Sequence, residues 1–249
     1  MCGFMMSDAE MFTSRTALLL GEEAMHRLAE TKIIVFGVGG VGSWCAECLV
    51  RSGIRQLTIV DYDLICMSNC NRQLMATGKT IGMAKVDVLK QRLLDISPDA
   101  DIRAMRMAYS AENAHEFHLE HYDYVIDAID SLKDKANLIL HATSVPSVTL
   151  YSSMGAALRT DPFRVSKTEF YNVIGDPLAR ALRQRFKHNK TYPARKFQCV
   201  YSKELPMENK GNILAGEEGK RINGSLNQVT AVFGFSLAGM VINDIRLKC

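Results

Sequence analysis

A glycine-rich segment follows a short apolar run near the start of the chain. The run Lys32–Phe36 leads into Gly37-Val-Gly39-Gly40-Val-Gly42, and a helical pattern of apolar residues begins directly afterwards. Glycines in this position permit a tight turn and let phosphate oxygens approach backbone N–H groups at the positive end of the helix dipole. The segment therefore predicts a strand, a phosphate-binding turn and a helix in succession.

The first 150 residues alternate between strand-like and helical patterns. Apolar runs predict strands at 32–37, 56–61, 102–107 and 124–129, and amphipathic periodicity predicts helices at 42–52, 84–96 and 131–142. This alternation is typical of a parallel sheet that is covered by helices on both faces. We predict an α/β fold with a doubly wound, mostly parallel Rossmann-like sheet, whose nucleotide-binding part spans 12–155.

The pattern changes after residue 155. Strands are predicted at 163–170 and 196–201, on either side of a basic helix at 176–187, and a last helix is predicted at 229–242. We expect residues 156–249 to form a substrate-binding extension that is continuous with the same domain. The last helix is predicted to be buried and not a membrane anchor, because its 14 residues are fewer than the roughly 18–20 that cross a bilayer.

Charged residues follow the second predicted strand. Asp61 ends that strand 19 residues after Gly42, where a carboxylate can accept hydrogen bonds from ribose hydroxyls. Up to this point a dinucleotide-dependent oxidoreductase explains the pattern equally well. Arg72 and Lys85 then add two cations that suit a triphosphate better than a diphosphate. The alternative for both is a solvated surface charge.

Carboxylates also close the fourth predicted strand. Asp127 and Asp130 stand at the end where ligands bind in open α/β sheets, and a carboxylate that faces phosphates ordinarily needs Mg²⁺ between them. We therefore count Asp63, Asp127 and Asp130 among the candidates for nucleotide binding. The alternative is that each of them caps a turn or a helix.

Five segments, taken in order, resemble the ThiF/MoeB branch of the ubiquitin-activating enzyme superfamily: GVGGVGSW, IVDYD, SNCNRQ, GMAK and DAIDS. This resemblance covers about residues 12–155. Further segments at 14–23, 174–180 and 200–204 are similar to the tRNA threonylcarbamoyladenosine dehydratases of that superfamily. With them the resemblance spans nearly the whole chain.

The resemblance implies an ATP-dependent activation of a carboxylate, with Mg²⁺ as the metal. The residues implied for this site are Gly39, Gly40 and Gly42 for the phosphates, Asp61 for the ribose, Asn69, Arg72 and Lys85 for the triphosphate, and Asp130 for Mg²⁺. Superfamily members are typically homodimers, and Arg15 is the arginine expected to reach the active site of the partner subunit. Its alternative is a surface arginine.

In the dehydratases the activated carboxylate belongs to threonylcarbamoyladenosine in tRNA. Once adenylated, it is attacked from within the same side chain, the ring closes and AMP leaves, so that no protein thiol is required. The alternative function is adenylation of the C-terminal glycine of a ubiquitin-like sulfur carrier, and a non-catalytic nucleotide-binding module stands behind both. A cysteine desulfurase or sulfur-acceptor system is a further partner that the resemblance allows.

The cysteines bear on compartment and on chemistry. Their number, seven, is odd and favours a reducing compartment, so we expect a cytoplasmic protein. Cys45 and Cys48 form one CxxC pair, and the sequence has no second pair to complete a structural zinc site. Cys199 is the candidate if a catalytic thiol exists, and the alternative is a buried apolar thiol.

Basic residues are concentrated after the nucleotide-binding part. The net charge is only +3, but eight basic residues and no acidic residue lie in the segment 177–203, the basic strip. Aromatic residues are interleaved with them at positions 186, 192, 197 and 201. Such a strip can bind backbone phosphates and stack an extruded base, so we predict tRNA binding at Arg183, Arg185, Lys187 and Lys190. A solvated helix face is the alternative.

Overall fold

The strands of the protein form one mixed sheet. They are β1 (Lys32–Phe36), β2 (Gln56–Val60), β3 (Asp101–Met105), β4 (Tyr124–Asp127), β5 (Thr149–Ser153), β6 (Val165–Glu169) and β7 (Gln198–Ser202). In the computed structural model, which describes residues 8–211 and 222–248, these seven strands run in the order β3-β2-β1-β4-β5-β7-β6. Neighbours are parallel except for β6, which pairs antiparallel with β7. The sheet order therefore reverses between β1 and β4, where open α/β sheets bind ligands.

Helices cover both faces of this sheet. They are α1 (Asp8–Leu20), α2 (Glu22–Glu30), α3 (Gly42–Arg51), α4 (Lys85–Ile96), α5 (Leu132–Ser144), α6 (Pro177–Asn189) and α7 (Asn227–Leu247). Alternate residues of the central strands point to opposite faces. Ile33 and Val35 pack with residues of α3, α4 and α7, whereas Ile34 and Phe36 pack with residues of α5 and α6. The apolar run of β1 is thus buried on both sides, as expected for a central parallel strand.

The observed elements agree with the predicted ones within a few residues over most of the chain. The predicted strand at 163–170 begins with a short 3-10 turn, Pro162–Arg164, because the Asp161 side chain accepts a hydrogen bond from the Phe163 N–H. Strand β5 was not predicted, since the run from Thr149 to Ser153 has few aliphatic residues. Its last two serines are nevertheless buried. The C-terminal segment extends the same sheet through β6 and β7.

Helix α7 is longer than predicted and packs closely on α3. Its 21 residues are long and apolar enough to cross a membrane by length and composition alone. Val229, Phe233 and Leu237 are, however, fully buried within the core. A Cβ atom on Gly234 would lie 2.4 Å from the carbonyl oxygen of Val41, so only glycine permits this approach to the start of α3. The packing identifies α7 as a core helix.

Candidate active site

A cavity of about 680 Å³ opens at the carboxyl ends of the central strands. Its walls come from the turns that follow β1, β2, β4 and β5 and from the beginning of α6. This volume lies in the range of small-molecule sites. Predicted site residues that line it are Gly39, Gly40, Asp61, Asp63, Arg72, Lys85 and Asp130. Residues distant in sequence are therefore brought together at the reversal point of the sheet.

The glycine turn after β1 has two kinds of glycine. Gly39 and Gly40 line the cavity. Gly42 does not, and a Cβ atom there would lie only 1.8 Å from the carbonyl oxygen of Gly37. Gly42 therefore permits the close fold of the turn, while the first two glycines leave the backbone open to a ligand.

Asp61 follows β2 and is held in place by the backbone. Its Oδ2 accepts a hydrogen bond from the Val38 N–H and its Oδ1 accepts one from the Asp63 N–H, both at 2.9 Å. Burial raises the pKa of Asp61, while Lys85 and the two N–H groups oppose that rise. The turn is stabilised by the carboxylate of Asp61, and not by Asp63 as the capping alternative held.

Lys85 is the first residue of α4 and is buried. Its Nζ donates to Oδ2 of Asp63 and lies 3.9 Å from Oδ1 of Asp61. It is therefore not a solvated surface charge. A cation at a helix N-terminus is unfavourable for the helix dipole, and here the two carboxylates offset that cost.

The loop that follows Asp63 supplies Arg72 and Gln73. Arg72 is half-buried, donates through Nη1 to the carbonyl oxygen of Ser68, and packs its side chain beside Gly40. Gln73 lines the cavity too, and its buried Oε1 accepts no hydrogen bond from the described residues. Asn69 lies outside the lining, because its Oδ1 accepts a hydrogen bond from the Cys66 N–H and so shapes the loop.

Asp127 requires a correction of its expected role. Its side chain is fully buried, lies outside the cavity lining and pairs with Lys135 at 2.8 Å. Ser152 and the Ile129 N–H also donate to it. Because its oxygens are already bound by three donors within the core, Asp127 positions the end of β4 and does not face a ligand.

Two carboxylates remain at the cavity after β4. Asp130 is exposed there, and Ser131, not Asp130, occupies the position before the first residue of α5. Asp134 lies one helical turn further along, lines the same cavity and accepts a hydrogen bond from the Ser131 hydroxyl. Asp134 was not predicted from the sequence, although its spacing of four residues from Asp130 was a usable signal.

The five cysteines that the structure describes offer neither a nucleophile nor a metal site at this cavity. Cys199 is fully buried within β7, and desolvation raises its pKa well above the usual value. Such a thiol stays protonated at neutral pH, so it is not a nucleophile. Cys45 and Cys48 are free thiols, and no cluster of three or more metal-ligating side chains occurs among the described residues.

Some cations of the basic strip bind carbonyl oxygens within the fold, and others are exposed. Arg183 donates to the carbonyl oxygen of Phe170, and Arg195 donates to five carbonyl oxygens at and beyond the end of α5. Lys187 and Lys190 are exposed and Arg185 is half-exposed. The aromatic residues at 186, 197 and 201 are buried, which corrects the expectation that they stack a base; Tyr192 is exposed.

Arg15 and Arg159 differ in their exposure and in their position relative to the cavity. Arg15 is exposed on α1 and does not line the cavity of its own chain. Arg159 lines the cavity and is buried, with Nη2 3.2 Å from Oδ2 of Asp176. Arg159 was not predicted from the sequence, because a single arginine in a loop carries no spacing signal.

Comparison with known proteins gives a consistent result. A model of the ThiF family matches residues 13–245. The tRNA threonylcarbamoyladenosine dehydratase of Escherichia coli (strain K12) is 36% identical over 251 residues, which cover 94% of this chain and 92% of that protein. The dehydratase of the same name from Bacillus subtilis (strain 168) is 34% identical and covers 94% and 96% of the two chains.

Solved structures resemble the fold over its full length. The crystal structure of the E. coli tRNA N6-threonylcarbamoyladenosine dehydratase in complex with AMP superimposes with a TM-score of 0.87 at 33% identity and covers 99% of this chain and 98% of that one. Its complex with ATP gives a TM-score of 0.86 at the same identity, and covers 98% of each chain.

Proposed function

The chain belongs to the ThiF family, and we propose that its site adenylates the carboxylate of N6-threonylcarbamoyladenosine in tRNA and releases AMP as that side chain cyclises. The observation that carries this proposal is the similarity, over more than nine-tenths of both chains, to the dehydratases of E. coli and B. subtilis. The chain is accordingly an ATP-dependent adenylating enzyme, and we place it in the cytoplasm with its tRNA substrate.

The cavity can bind ATP in one orientation, with the ribose at the end of β2 and the phosphates at the start of α3. Asp61 keeps lone pairs for ribose hydroxyls at the end of β2. Gly39 and Gly40 present backbone to the phosphates at the start of α3. Arg72 and Lys85 border the same space, and Lys85 would exchange Asp63 for a phosphate oxygen when the nucleotide enters.

Asp130 and Asp134 fit a phosphate-bound Mg²⁺ better than a metal held by protein alone. Mg²⁺ prefers oxygen ligands and is commonly bound by one or two carboxylates together with phosphates and water. These two carboxylates line the cavity, and the described residues contain no larger ligand cluster. When bound, Mg²⁺ would offset the negative charge that builds up on the departing pyrophosphate.

The residues of the cavity act by positioning and by charge. In the first step a carboxylate oxygen of the substrate forms a bond to the α-phosphorus of ATP, and the bond to the bridging oxygen breaks with its electron pair on pyrophosphate. Arg72 and Lys85 are placed to stabilise the charge on these phosphates. In the second step a nucleophilic atom of the same side chain bonds to the activated carbon and loses its proton, and AMP leaves.

The surface of α1 supports a homodimer in which Arg15 acts on the partner subunit. The exposed fractions of Leu18 and Leu19 on this helix are 88% and 82%, and Met11 and Phe12 are exposed as well. Large apolar side chains exposed side by side are typical of an interaction surface. Burying them against a second copy would place Arg15 at an interface and away from its own cavity.

Helix α6 leads from the cavity to exposed cations of the basic strip. Pro177 and Leu178, at its start, line the cavity, and Arg185 and Lys187 lie in its second half. Its 13 residues span roughly 20 Å at 1.5 Å per residue. The helix would therefore lead tRNA phosphates away from the activated nucleoside, with Arg185, Lys187 and Lys190 among the available cations.

Pyrophosphate exchange into ATP tests the proposed substrate. We expect exchange to be stimulated by tRNA that carries threonylcarbamoyladenosine and not by the same tRNA without the threonylcarbamoyl group. Stimulation by a small protein ending in Gly-Gly, and not by the modified tRNA, would establish the sulfur-carrier alternative instead. The variant Asp61→Ala is the matched control, since loss of ribose binding should abolish exchange with either substrate.

A further inference from the structure

Large apolar side chains are exposed along one side of the cavity mouth. The exposed fractions of Phe163, Ile174 and Leu205 are 94%, 80% and 70%. Ile222 is half-exposed and itself lines the cavity. These four residues come from four separate segments of the chain, and together they are called the apolar rim.

The sheet brings Phe163 and Leu205 to the edge at which the cavity opens. Strand β7 is parallel to β5, so its carboxyl end lies at that edge, and the antiparallel β6 begins there. Phe163 stands just before β6, and Leu205 stands just after β7. The Lys203 N–H donates to the carbonyl oxygen of Arg164, which joins the two segments directly.

Leu205 also connects the rim with the beginning of α6. A Cβ atom on Gly175 would lie 2.9 Å from Cδ2 of Leu205, so the leucine side chain lies against the residue that follows Ile174. Helix α6 begins two residues later, and its first two residues line the cavity. Ile174 and Leu205 therefore border the mouth from neighbouring segments.

Ile222 is joined to the segment of Leu205 by the loop after β5. In that loop Leu158 donates its N–H to the carbonyl oxygen of Gly224 and accepts a hydrogen bond from the Met207 N–H. Leu158 and Ile222 both line the cavity. Because the four segments are linked in this way, the exposed apolar side chains form one surface, and such a surface marks an interaction site.

Exposed cations accompany the apolar rim. They are Arg164, Lys203 and, at the start of α6, Arg180. Two acids of the same segments have their carboxylates occupied: Asp161 accepts the Phe163 N–H, and Glu204 accepts the N–H groups of residues 160 and 161. Apolar side chains beside cations match single-stranded RNA, which offers base faces and phosphates together.

The apolar rim borders the part of the cavity that ATP leaves open. In the proposed orientation ATP lies along the ends of β2 and β1. On the side of the rim, the wall comes from the loop after β5 and from the beginning of α6. The second substrate must enter there, and a protein seated on the rim would close that entrance. The occupant that agrees with catalysis is therefore the RNA substrate itself.

We propose that the apolar rim stacks the bases next to the modified adenosine while this adenosine is turned into the cavity, an inference that rests on the proposed function. Enzymes that act on a base take it out of its stack, which uncovers the faces of its neighbours. Phe163 offers a ring to one such face, and Ile174 and Leu205 offer apolar contacts beside it. Arg164 and Lys203 bind the adjoining phosphates.

The test measures the Kd of tRNA that carries the threonylcarbamoyl group. We expect the double variant Phe163→Ala/Leu205→Ser to raise this Kd by about 5–150-fold, the range for one lost base stack. The slope of log K against log salt should stay unchanged, since no phosphate contact is removed. ATP binding and thermal unfolding should match the wild type, because both side chains are exposed.

Three further variants separate stacking from other effects. Phe163→Trp keeps an aromatic ring and should keep the wild-type Kd. Arg164→Gln removes a phosphate contact and should lower the salt slope by about 0.7. Leu247→Ser is the matched control: Leu247 is 72% exposed and lies roughly 25 Å along α7 from Thr230, which lines the cavity, so its Kd should not change.

Four outcomes would overturn the proposal. An unchanged Kd in the double variant refutes stacking at the rim, and so does an equal loss in Phe163→Trp and Phe163→Ala. If the double variant dissociates a wild-type dimer in light scattering while the Kd for tRNA is unchanged, the rim is a contact between copies of the chain. If the wild type shows no pyrophosphate exchange with the modified tRNA, the proposed function fails and this inference with it, a result that needs no variant.

Discussion

Nζ of Lys135 lies 2.8 Å from Oδ2 of Asp127, and neither side chain has any exposed surface. The ammonium group also donates to the carbonyl oxygen of Ile129, and the carboxylate accepts a hydrogen bond from Ser152. This network ties the start of α5 to the ends of β4 and β5. It fixes the segment from which Asp130 enters the cavity.

Replacing Lys135 by methionine should destabilise the protein strongly. The change leaves the Asp127 carboxylate buried without a counter-charge, a defect that typically costs about 3–5 kcal/mol. Urea unfolding followed by circular dichroism measures it. Lys133→Met, two residues earlier and exposed, should leave the unfolding free energy nearly unchanged, and equal effects of the two substitutions would contradict the network.

Gly42→Ala and Gly39→Ala should fail in different ways. A methyl group on Gly42 meets the carbonyl oxygen of Gly37 at 1.8 Å, so we expect a loss of about 3 kcal/mol in unfolding free energy. A methyl group on Gly39 has its nearest neighbour at 3.7 Å, so that variant should fold normally and lose affinity for ATP. Thermal unfolding with and without ATP separates the two, and Gly78→Ala, with open space around it, is the control.

Cys199→Ala should keep the enzymatic turnover of the wild type. The thiol is fully buried and its pKa is raised by desolvation, so no thiolate is available for catalysis. We expect a modest cost of about 1 kcal/mol in stability from the lost sulfur atom. Iodoacetamide should label the exposed Cys66 and Cys70 in the native protein and spare Cys199. Abolished turnover in Cys199→Ala at unchanged stability would contradict the prediction and indicate a catalytic role for this thiol.

Charge reversal at Arg185 and Lys187 should weaken tRNA binding while leaving ATP binding intact. Each lost phosphate contact should lower the slope of log K against log salt by about 0.7–0.9, depending on whether the RNA is single-stranded or helical. Filter binding over a series of salt concentrations measures that slope. Arg195→Ala is the contrasting variant: its guanidinium binds carbonyl oxygens near the end of α5, so its loss should reduce stability and leave the slope unchanged.

Much of the fold was predictable because its central strands are almost wholly apolar. Strands β1 and β2 are buried on both faces. The glycines after β1 and the aspartate after β2 indicate a turn or a ligand site. Strand β5 escaped prediction because Ser152 is buried as a partner of Asp127, a contact that no local pattern reveals. A strand with polar core residues of this kind has the sequence pattern of a loop.

A site residue was predictable where its chemical type and its position at the end of a strand determine where its side chain lies. Asp61 and Asp130, which follow β2 and β4, meet in one cavity for that reason. Asp127 is also at a strand end, but its carboxylate is paired with Lys135 within the core. Arg159 was not predicted, because its burial beside Asp176 follows from contacts that exist only once the chain has folded.

The contact of α7 with α3 through Gly234 has a consequence for biosynthesis. The phosphate-binding turn precedes α7 by most of the sequence, yet α3, the helix that this turn opens, is covered on one face by α7. We expect an incomplete chain to expose an uncovered face of α3 and to lack a finished nucleotide site. Synthesis of α7 and the capacity to consume ATP would therefore coincide, and products that end before α7 would be substrates for proteolysis and not wasteful ATPases.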